Sequence, residues 1–332
     1  MDQICLVTGA CGFVGSYLID ALVSQGISVR ATDLFNANRQ YLPSSETVEF
    51  VPADLTKPEE VKTIVAGVST IFHPAGIFRF DTSRKLLYKV NVEGSTNLFN
   101  AALSEDISHI VNWSSAMIYG SLIYTPADET HPIHPEEPYS ESKWIQEQMG
   151  YSFFEENGLP VSSLRPTAIY GPRSLYGTSQ AILALANKKI FGIPGSGKTI
   201  QHHVHVEDVV NAAIFISKNQ KTIGESYNIA DNVPISIEDS FKIVSETLNI
   251  RSPKFHFPKQ LVFFYAFFDR IWNKLRRRSS LFEKAALQLI FSDHIYNNNK
   301  LKELGFSYSV PDFQIGIKST LQWYQEKGYI KK

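Results

Sequence analysis

The sequence predicts a doubly wound parallel α/β sheet followed by a smaller, mixed C-terminal lobe. Two observations carry this. Short apolar runs alternate with amphipathic stretches through the first half of the chain, as strands covered on both faces by helices require. The first strand–helix junction is also built from glycines, in the run Thr8-Gly9-Ala10-Cys11-Gly12-Phe13-Val14-Gly15.

Residues 4–7 form a continuous apolar strand, and a helix follows from the second glycine to about residue 25. It carries Val14, Leu18, Ala21 and Leu22 at helical spacing, and Gly26 ends it. Strands are then expected at 27–32, 48–51, 68–72 and 109–113, with helices at 58–66 and 83–104 between them. A further helix over 139–157 leads into a strand at 161–164. Beyond about residue 173 the rhythm loosens. Isolated strands are expected at 204–206 and 226–229, a helix at 181–189, and closing helices near 237–248 and 311–326.

Composition narrows the function classes. The 332 residues are 43% hydrophobic and 20% charged, with a formal charge of -1, which removes any general electrostatic case for nucleic-acid binding. The only cysteines, Cys5 and Cys11, suit neither a zinc site nor a disulfide framework, so a reducing, cytoplasmic setting and no metal are expected. Asn112-Trp113-Ser114 matches a glycosylation acceptor but falls at the end of a buried strand in a chain that opens directly on a strand, and is discounted. No apolar run approaches the ~20 residues needed to span a bilayer. The run 261–268, followed by Arg270, Lys274 and Arg276-Arg277-Arg278, is too short to span. It suits an apolar lid, an interfacial helix making peripheral membrane contact through 261–278, or an ordinary buried helix.

Glycines between a strand and a helix let the backbone approach a pyrophosphate, which the helix N-terminus then meets with free N–H groups. Gly9, Gly12, Phe13, Val14 and Gly15 are therefore candidate ligands of a dinucleotide. Asp33, at the end of the second strand, is placed to accept hydrogen bonds from the adenosine ribose and to repel a 2′-phosphate, which selects NAD over NADP. Asp54 and Leu55 after the third strand are placed to meet the adenine edge, and Pro74 and Ala75 after the fourth to pass beneath the dinucleotide. The sheet is accordingly of the Rossmann type. Residues 1–172 form the dinucleotide-binding domain, with sheet additions near 203–230, and 173–332 mainly the substrate lobe.

Tyr139 and Lys143 stand at i and i+4 on one helical face. A tyrosine is a poor base near its ordinary pKa of ~10, and an adjacent ammonium is expected to stabilise its phenolate. Ser115, at the end of the fifth strand, is placed to hydrogen-bond the same substrate oxygen.

The glycine run, Asp33, Asp54, Asn91 within Val90-Asn91-Val92-Glu93-Gly94-Ser95, Ser114-Ser115-Ala116-Met117-Ile118-Tyr119-Gly120, Tyr139-x-x-x-Lys143 and Arg165-Pro166-Thr167-Ala168-Ile169-Tyr170-Gly171-Pro172 follow one another in a known order. In this the chain resembles the extended short-chain dehydrogenase/reductases, the NAD-dependent epimerase/dehydratase-like branch, along essentially its whole length. The resemblance implies that Tyr139 is the acid/base, that Lys143 is its electrostatic partner and a ribose ligand, and that Ser115 donates to the substrate oxygen. It also adds Asn91 and Pro166 to the cofactor residues, with Asn91 open to a second reading as a buried capping amide, and implies a homodimer.

Departures from the family pattern narrow the substrate. Ala116-Met117 stands where 4,6-dehydratases carry an Asp-Glu pair, so dehydration is not expected. Ala168 and Gln201 stand where nucleotide-sugar epimerases carry diphosphate-binding Asn and Arg, contacts worth ~1.5–3 kcal/mol each when charge-assisted. What remains resembles the 3β-hydroxysteroid and sterol-4α-carboxylate dehydrogenases and the dihydroflavonol reductases. The expectation is therefore NAD-dependent interconversion of a secondary alcohol and a ketone on a lipophilic small molecule, a β-hydroxy acid losing CO₂ after oxidation. The alternatives are a nucleotide-sugar epimerase and a non-catalytic NAD-binding protein.

Two local patterns are rejected. Residues 192–199 match the phosphate-loop string Gly-x-x-x-x-Gly-Lys-Thr but are expected between a helix and an extended segment, the reverse of what a phosphate cradle needs. His202, His203 and His205 lie on a strand with His202 and His203 on opposite faces, which suits core histidines better than a metal site.

Overall fold

The strands, in chain order, are β1 (Ile4–Thr8), β2 (Ser28–Thr32), β3 (Val48–Phe50), β4 (Thr70–His73), β5 (His109–Trp113), β6 (Val161–Pro166) and β7 (Ala168–Tyr170). The short strands β8 (Ile193–Pro194), β9 (Ile200–Gln201) and β10 (His203–His205) follow, then β11 (Ser226–Ile229), β12 (Ile235–Ser236) and β13 (His256–Phe257). This computed structural model describes residues 4–79, 82–275 and 284–331. Seven parallel strands make the main sheet in the order β11-β6-β5-β4-β1-β2-β3. The winding reverses between β1 and β4, so the crevice at their carboxyl ends is where a ligand of such a sheet belongs. Of the segment expected to add to the sheet, 203–230, only β11 joins it; β10 pairs with β7 in a separate two-stranded sheet.

Helices α1 (Phe13–Ser24) and α2 (Pro58–Val65) follow the pattern read from the sequence. The single helix expected over 83–104 is instead α3 (Arg84–Leu87), a six-residue π-helix over Tyr88–Glu93, and α4 (Gly94–Ala102). Helices α5 (Pro138–Asn157), α6 (Thr178–Ala186), α7 (Val206–Ser217) and α8 (Ile237–Thr247) come next, then α9 (Lys259–Leu275), α10 (Lys284–Phe291), α11 (Asn299–Glu303) and α12 (Phe313–Glu326). One core packs α1 and α7 against one face of the sheet; a second lies on the other face, beneath α2 and α4. A third cluster, formed by Tyr170 with residues of α6, α8 and α12, holds the C-terminal lobe together.

The phosphate-loop lookalike is a turn between β8 and β9, with Gly195 and Gly197 at φ +65° and +71° and no helix following. Its glycines serve the turn rather than a phosphate. His202, His203 and His205 are buried. Burial lowers their pKa values to about 4, about 3 and about 4, so they are neutral. His202 Nδ1 accepts from the Tyr296 N–H at 3.1 Å, which leaves Nε2–H to donate to the Asp231 carbonyl at 2.6 Å. Among the described residues no helix is long and apolar enough to cross a membrane. The basic run 276–278 lies outside the described residues.

Asp231, buried where β10 meets β11, gives a measurable consequence. Burial first, then the neighbouring Asp208 and Asp312 carboxylates, push its pKa to about 8, against the bond it accepts from the His205 N–H. A carboxyl raised in the folded state adds stability that is complete below its ordinary value near 3.8 and is lost as pH rises towards 8. Thermal melts of Asp231→Asn and the unsubstituted protein should therefore converge near pH 4 and diverge up to pH 8 in the variant's favour. The slope of the difference approaches about 1.4 kcal/mol per pH unit. The buried histidines titrate in the opposite sense but cancel in the difference. A pH-independent difference would show that Asp231 is ionised throughout.

Candidate active site

Thr8 ends β1, and Gly9 turns the chain at φ +60°, where a Cβ would lie 2.9 Å from the Ala75 Cα. A Cβ on Gly15 would run into the Gly9 carbonyl oxygen, and one on Gly12 would approach it to 3.1 Å. Glycine at these three positions thus lets the turn, the start of α1 and the loop after β4 approach one another at backbone distance. Gly12 is the N-cap, and no side chain satisfies the first-turn N–H groups. An open, uncapped helix end rimmed by glycine fits the pyrophosphate of a dinucleotide. Phe13 is buried there and Val14 half-buried. Beside this turn, the Asp33 carboxylate accepts from the Cys11 N–H at 3.0 Å and the Leu34 N–H at 2.8 Å, which fixes its position at the end of β2.

The other expected cofactor positions serve the fold as well. Asp54 Oδ1 accepts from the Thr56 N–H at 2.9 Å and hydroxyl at 2.8 Å, so this carboxylate closes its own turn. Leu55 is core, seated against Gly94. Pro74 and Ala75 are half-buried, Ala75 beside Gly9. Pro166 is buried at the end of β6, paired with Ile229. Asn91 caps nothing. Fully buried in the π-helix, it accepts from the Ile77 N–H at 2.8 Å and donates to the Ser142 hydroxyl at 3.0 Å, tying the loop after β4 to α5. Beside it, the Thr8 hydroxyl, the His73 ring and the Ser95 hydroxyl form a chain of two 2.8 Å bonds that ends on the Asn91 carbonyl. Burial lowers the His73 pKa to about 3, so the ring is neutral. π-Turns of this kind recur at functional sites because they redirect a side chain within a helix.

Ser115 follows β5 and caps a short 3₁₀ turn, its Oγ accepting from the Met117 N–H at 3.2 Å. Helix α5 begins with a capping box on Glu137 and with Pro138 at its first position, which together fix its first turn. Its carboxylate accepts from the Tyr139 N–H at 2.8 Å and the Ser140 N–H at 2.6 Å. Tyr139 thus stands at the helix start, with its side chain hydrogen-bonded to Ser115. Burial pushes the Tyr139 hydroxyl well above its ordinary pKa and the Ser115 bond pulls it back only in part, so it keeps its proton. This differs from the expected lowering by Lys143. Burial draws the Lys143 ammonium down to about 7, and its Nζ donates to Gln146 Oε1 at 2.6 Å.

Sequence reasoning missed the walls of this site. The Phe78 ring packs edge-on against Tyr139 at 5.0 Å and lies 5.8 Å from Tyr176, which in turn meets Phe13 of α1 at 6.0 Å. An aromatic run therefore reaches from the N-terminus of α1 to the tyrosine. Ala168 is exposed, and Gln201 turns away to donate to the Leu289 and Ser292 carbonyls at 2.6 and 3.3 Å, closing the end of α10. Arg173, at φ +70°, reaches from the loop after β7 to Ser16 at 3.2 Å and Asp20 at 2.8 Å on α1. No motif marks Phe78, Tyr176, Arg173 or Gln146. The only local hint was an amide three residues beyond Lys143 on the same helix.

The NAD dependent epimerase/dehydratase family model matches residues 5–230. The sterol-4-alpha-carboxylate 3-dehydrogenase, decarboxylating, of Bos taurus is 29% identical over 263 residues, covering 76% of this chain and 72% of that protein. The N-acetyl-alpha-D-glucosaminyl-diphospho-ditrans,octacis-undecaprenol 4-epimerase of Escherichia coli O157:H7 is 25% identical over 328 residues, covering 97% of this chain and 96% of that protein. In three dimensions the chain matches the UDP-glucose 4-epimerase of Thermotoga maritima with a TM-score of 0.82 and 23% identity, over 98% of this chain and 99% of that one.

Proposed function

Because the chain belongs to the NAD dependent epimerase/dehydratase family, we propose that it interconverts a secondary alcohol and a ketone on a lipophilic substrate, such as a steroid, a sterol acid or a β-hydroxy acyl compound. The observation that carries this reading is the aromatic wall of Phe78 and Tyr176 against Tyr139, and the sequence adds that Ala168 and Gln201 stand where a diphosphate-binding Asn and Arg are expected. The named substrates of the two relatives, a sterol carboxylate and an undecaprenol-linked sugar, are both lipid-borne.

NAD supplies the hydride acceptor when bound. The glycine turn at the start of α1 and Asp33 would hold its pyrophosphate and adenosine end, and Lys143 would meet its ribose. The Ser115 hydroxyl steadies the substrate oxygen. Tyr139 holds the proton that this oxygen loses or gains. Its raised pKa suits a donor in ketone reduction; oxidation needs the phenolate and gains with rising pH. A β-hydroxy acid oxidised here becomes a β-keto acid and loses CO₂ without further residues. A screen of hydroxysteroids, sterol acids and 3-hydroxy fatty acids followed by NADH absorbance tests the reading. Tight UDP binding with no NADH production would favour a nucleotide-sugar epimerase instead.

The same reading includes contact with a lipid surface from the cytoplasmic side. On α9, Leu261, Phe264, Tyr265, Phe268 and Trp272 recur at i, i+3, i+4, i+7 and i+11, each more than half exposed, while Ala266 on the opposite side is buried. Such a stripe lies in a membrane interface, and the basic residues that follow in the sequence favour anionic lipid. Vesicles of phosphatidylglycerol should sediment the protein and phosphatidylcholine far less, with Phe264→Ser/Phe268→Ser losing the difference. Equal, negligible sedimentation with both lipids removes the membrane contact and leaves the chemistry untouched. Light scattering tests the homodimer implied by the family pattern.

A further inference from the structure

Lys143 is buried. Gly76 lies over it, with a hypothetical Cβ 3.8 Å from Nζ and 3.1 Å from Asn91 Oδ1. The neutral ring of His73 faces it from β4. Glu147, one helical turn on, attracts it but is committed to Arg165 Nη2 at 2.5 Å. Its Nζ donates to the side chain of Gln146, at Oε1, over 2.6 Å.

That contact fixes a whole chain of amides. An ammonium only donates, so Gln146 must present its oxygen. Its Nε2 then donates to Asn112 Oδ1 at 2.6 Å, and the Asn112 Nδ2 donates to the Ser163 hydroxyl at 3.2 Å. All four residues are buried. The orientation of each amide is thus determined from the ammonium through β5 to β6, and neither can turn without leaving a buried polar group unpaired.

We propose that Gln146 is the positioning residue of Lys143, its amide oxygen aimed by Asn112 and Ser163 so that the ammonium is held beneath Gly76 at the dinucleotide cleft. This rests on the reading of Lys143 as a cofactor ligand. Burial works against the charge on Lys143, and an oxygen that can only accept works for it. The pair is therefore a device for keeping an ammonium where solvent cannot.

The test is NADH binding, followed by nicotinamide fluorescence from pH 6 to 9, on the full chain and on Gln146→Met and Gln146→Glu. Thermal melts of each verify folding. The pH at which affinity falls is expected to move down by about one unit in Gln146→Met, the size of a charge-assisted hydrogen bond. It is expected to move up by at least as much in Gln146→Glu. A purely structural amide would shift the melts of both variants and leave this midpoint in place, and that result overturns the proposal. Should Gln146→Met not fold, the Gln146→Glu midpoint decides in the same way. A native protein that binds no NADH at any pH overturns the cofactor reading and this proposal with it.

Discussion

Tyr139→Phe is expected to cut turnover on a secondary-alcohol substrate by about 10²- to 10⁴-fold, the range of a lost general acid/base. NADH affinity should change little, because the substitution removes one hydroxyl and keeps the ring packed against Phe78. In the native protein the direction of reaction should split the pH profile. Oxidation climbs with pH, because Tyr139 must first give up a proton that burial makes it keep, and reduction declines over the same range. Stopped-flow hydride transfer in both directions measures this. Full turnover by the phenylalanine variant would remove Tyr139 from the chemistry.

The second large effect concerns folding. Arg165 and Glu147 form an ion pair less than a tenth exposed, with three N–H···O contacts between 2.5 and 3.2 Å. Glu147 also accepts from the Ser226 hydroxyl at 2.7 Å, and Arg165 donates to the Tyr119 hydroxyl at 2.7 Å, joining α5 to β6 and β11. Glu147→Ala should cost about 3–5 kcal/mol, because the guanidinium left behind cannot shed its charge. Arg165→Met should cost less, since a stranded carboxylate can take up a proton. The double variant Glu147→Leu/Arg165→Met should recover most of the loss. Urea midpoints of the three proteins check the order; equal losses in the two single variants would contradict it.

Much of the site was legible because its chemistry is local in sequence. Gly9, Gly12 and Gly15 span one strand–helix turn, and Tyr139 and Lys143 share one helical face, so spacing alone aligns them. What spacing cannot carry is pairing between distant segments. Gln146 meets Asn112 from 34 positions away, and Arg173 meets Ser16 from 157. The fold shows the same division. Strand β1 is nearly a continuous apolar run, whereas β8, β9, β12 and β13 have two residues each and hold no periodicity to read. Asp54 and Leu55 follow β3 as the sequence places them, and there Asp54 closes its own turn while Leu55 lies in the core. The partners of Gln201, the Leu289 and Ser292 carbonyls, lie 88 and 91 positions away and were equally out of reach of the sequence.

The π-helix over Tyr88–Glu93 has a further consequence, one of phase. One surplus residue advances everything beyond it by about 100° relative to an unbroken α-helix. Both flanks nonetheless meet α5: Arg84 pairs with Glu141, and the Thr96 hydroxyl contacts the Met149 sulfur at 3.3 Å. The two flanks are in register with α5 only because the offset lies between them, at the residues that carry Asn91. Length here is therefore quantised. Deleting a single residue from 88–93 would not shorten a loop but rotate one flank off its partner, and Asn91 out of reach of Ile77 and Ser142.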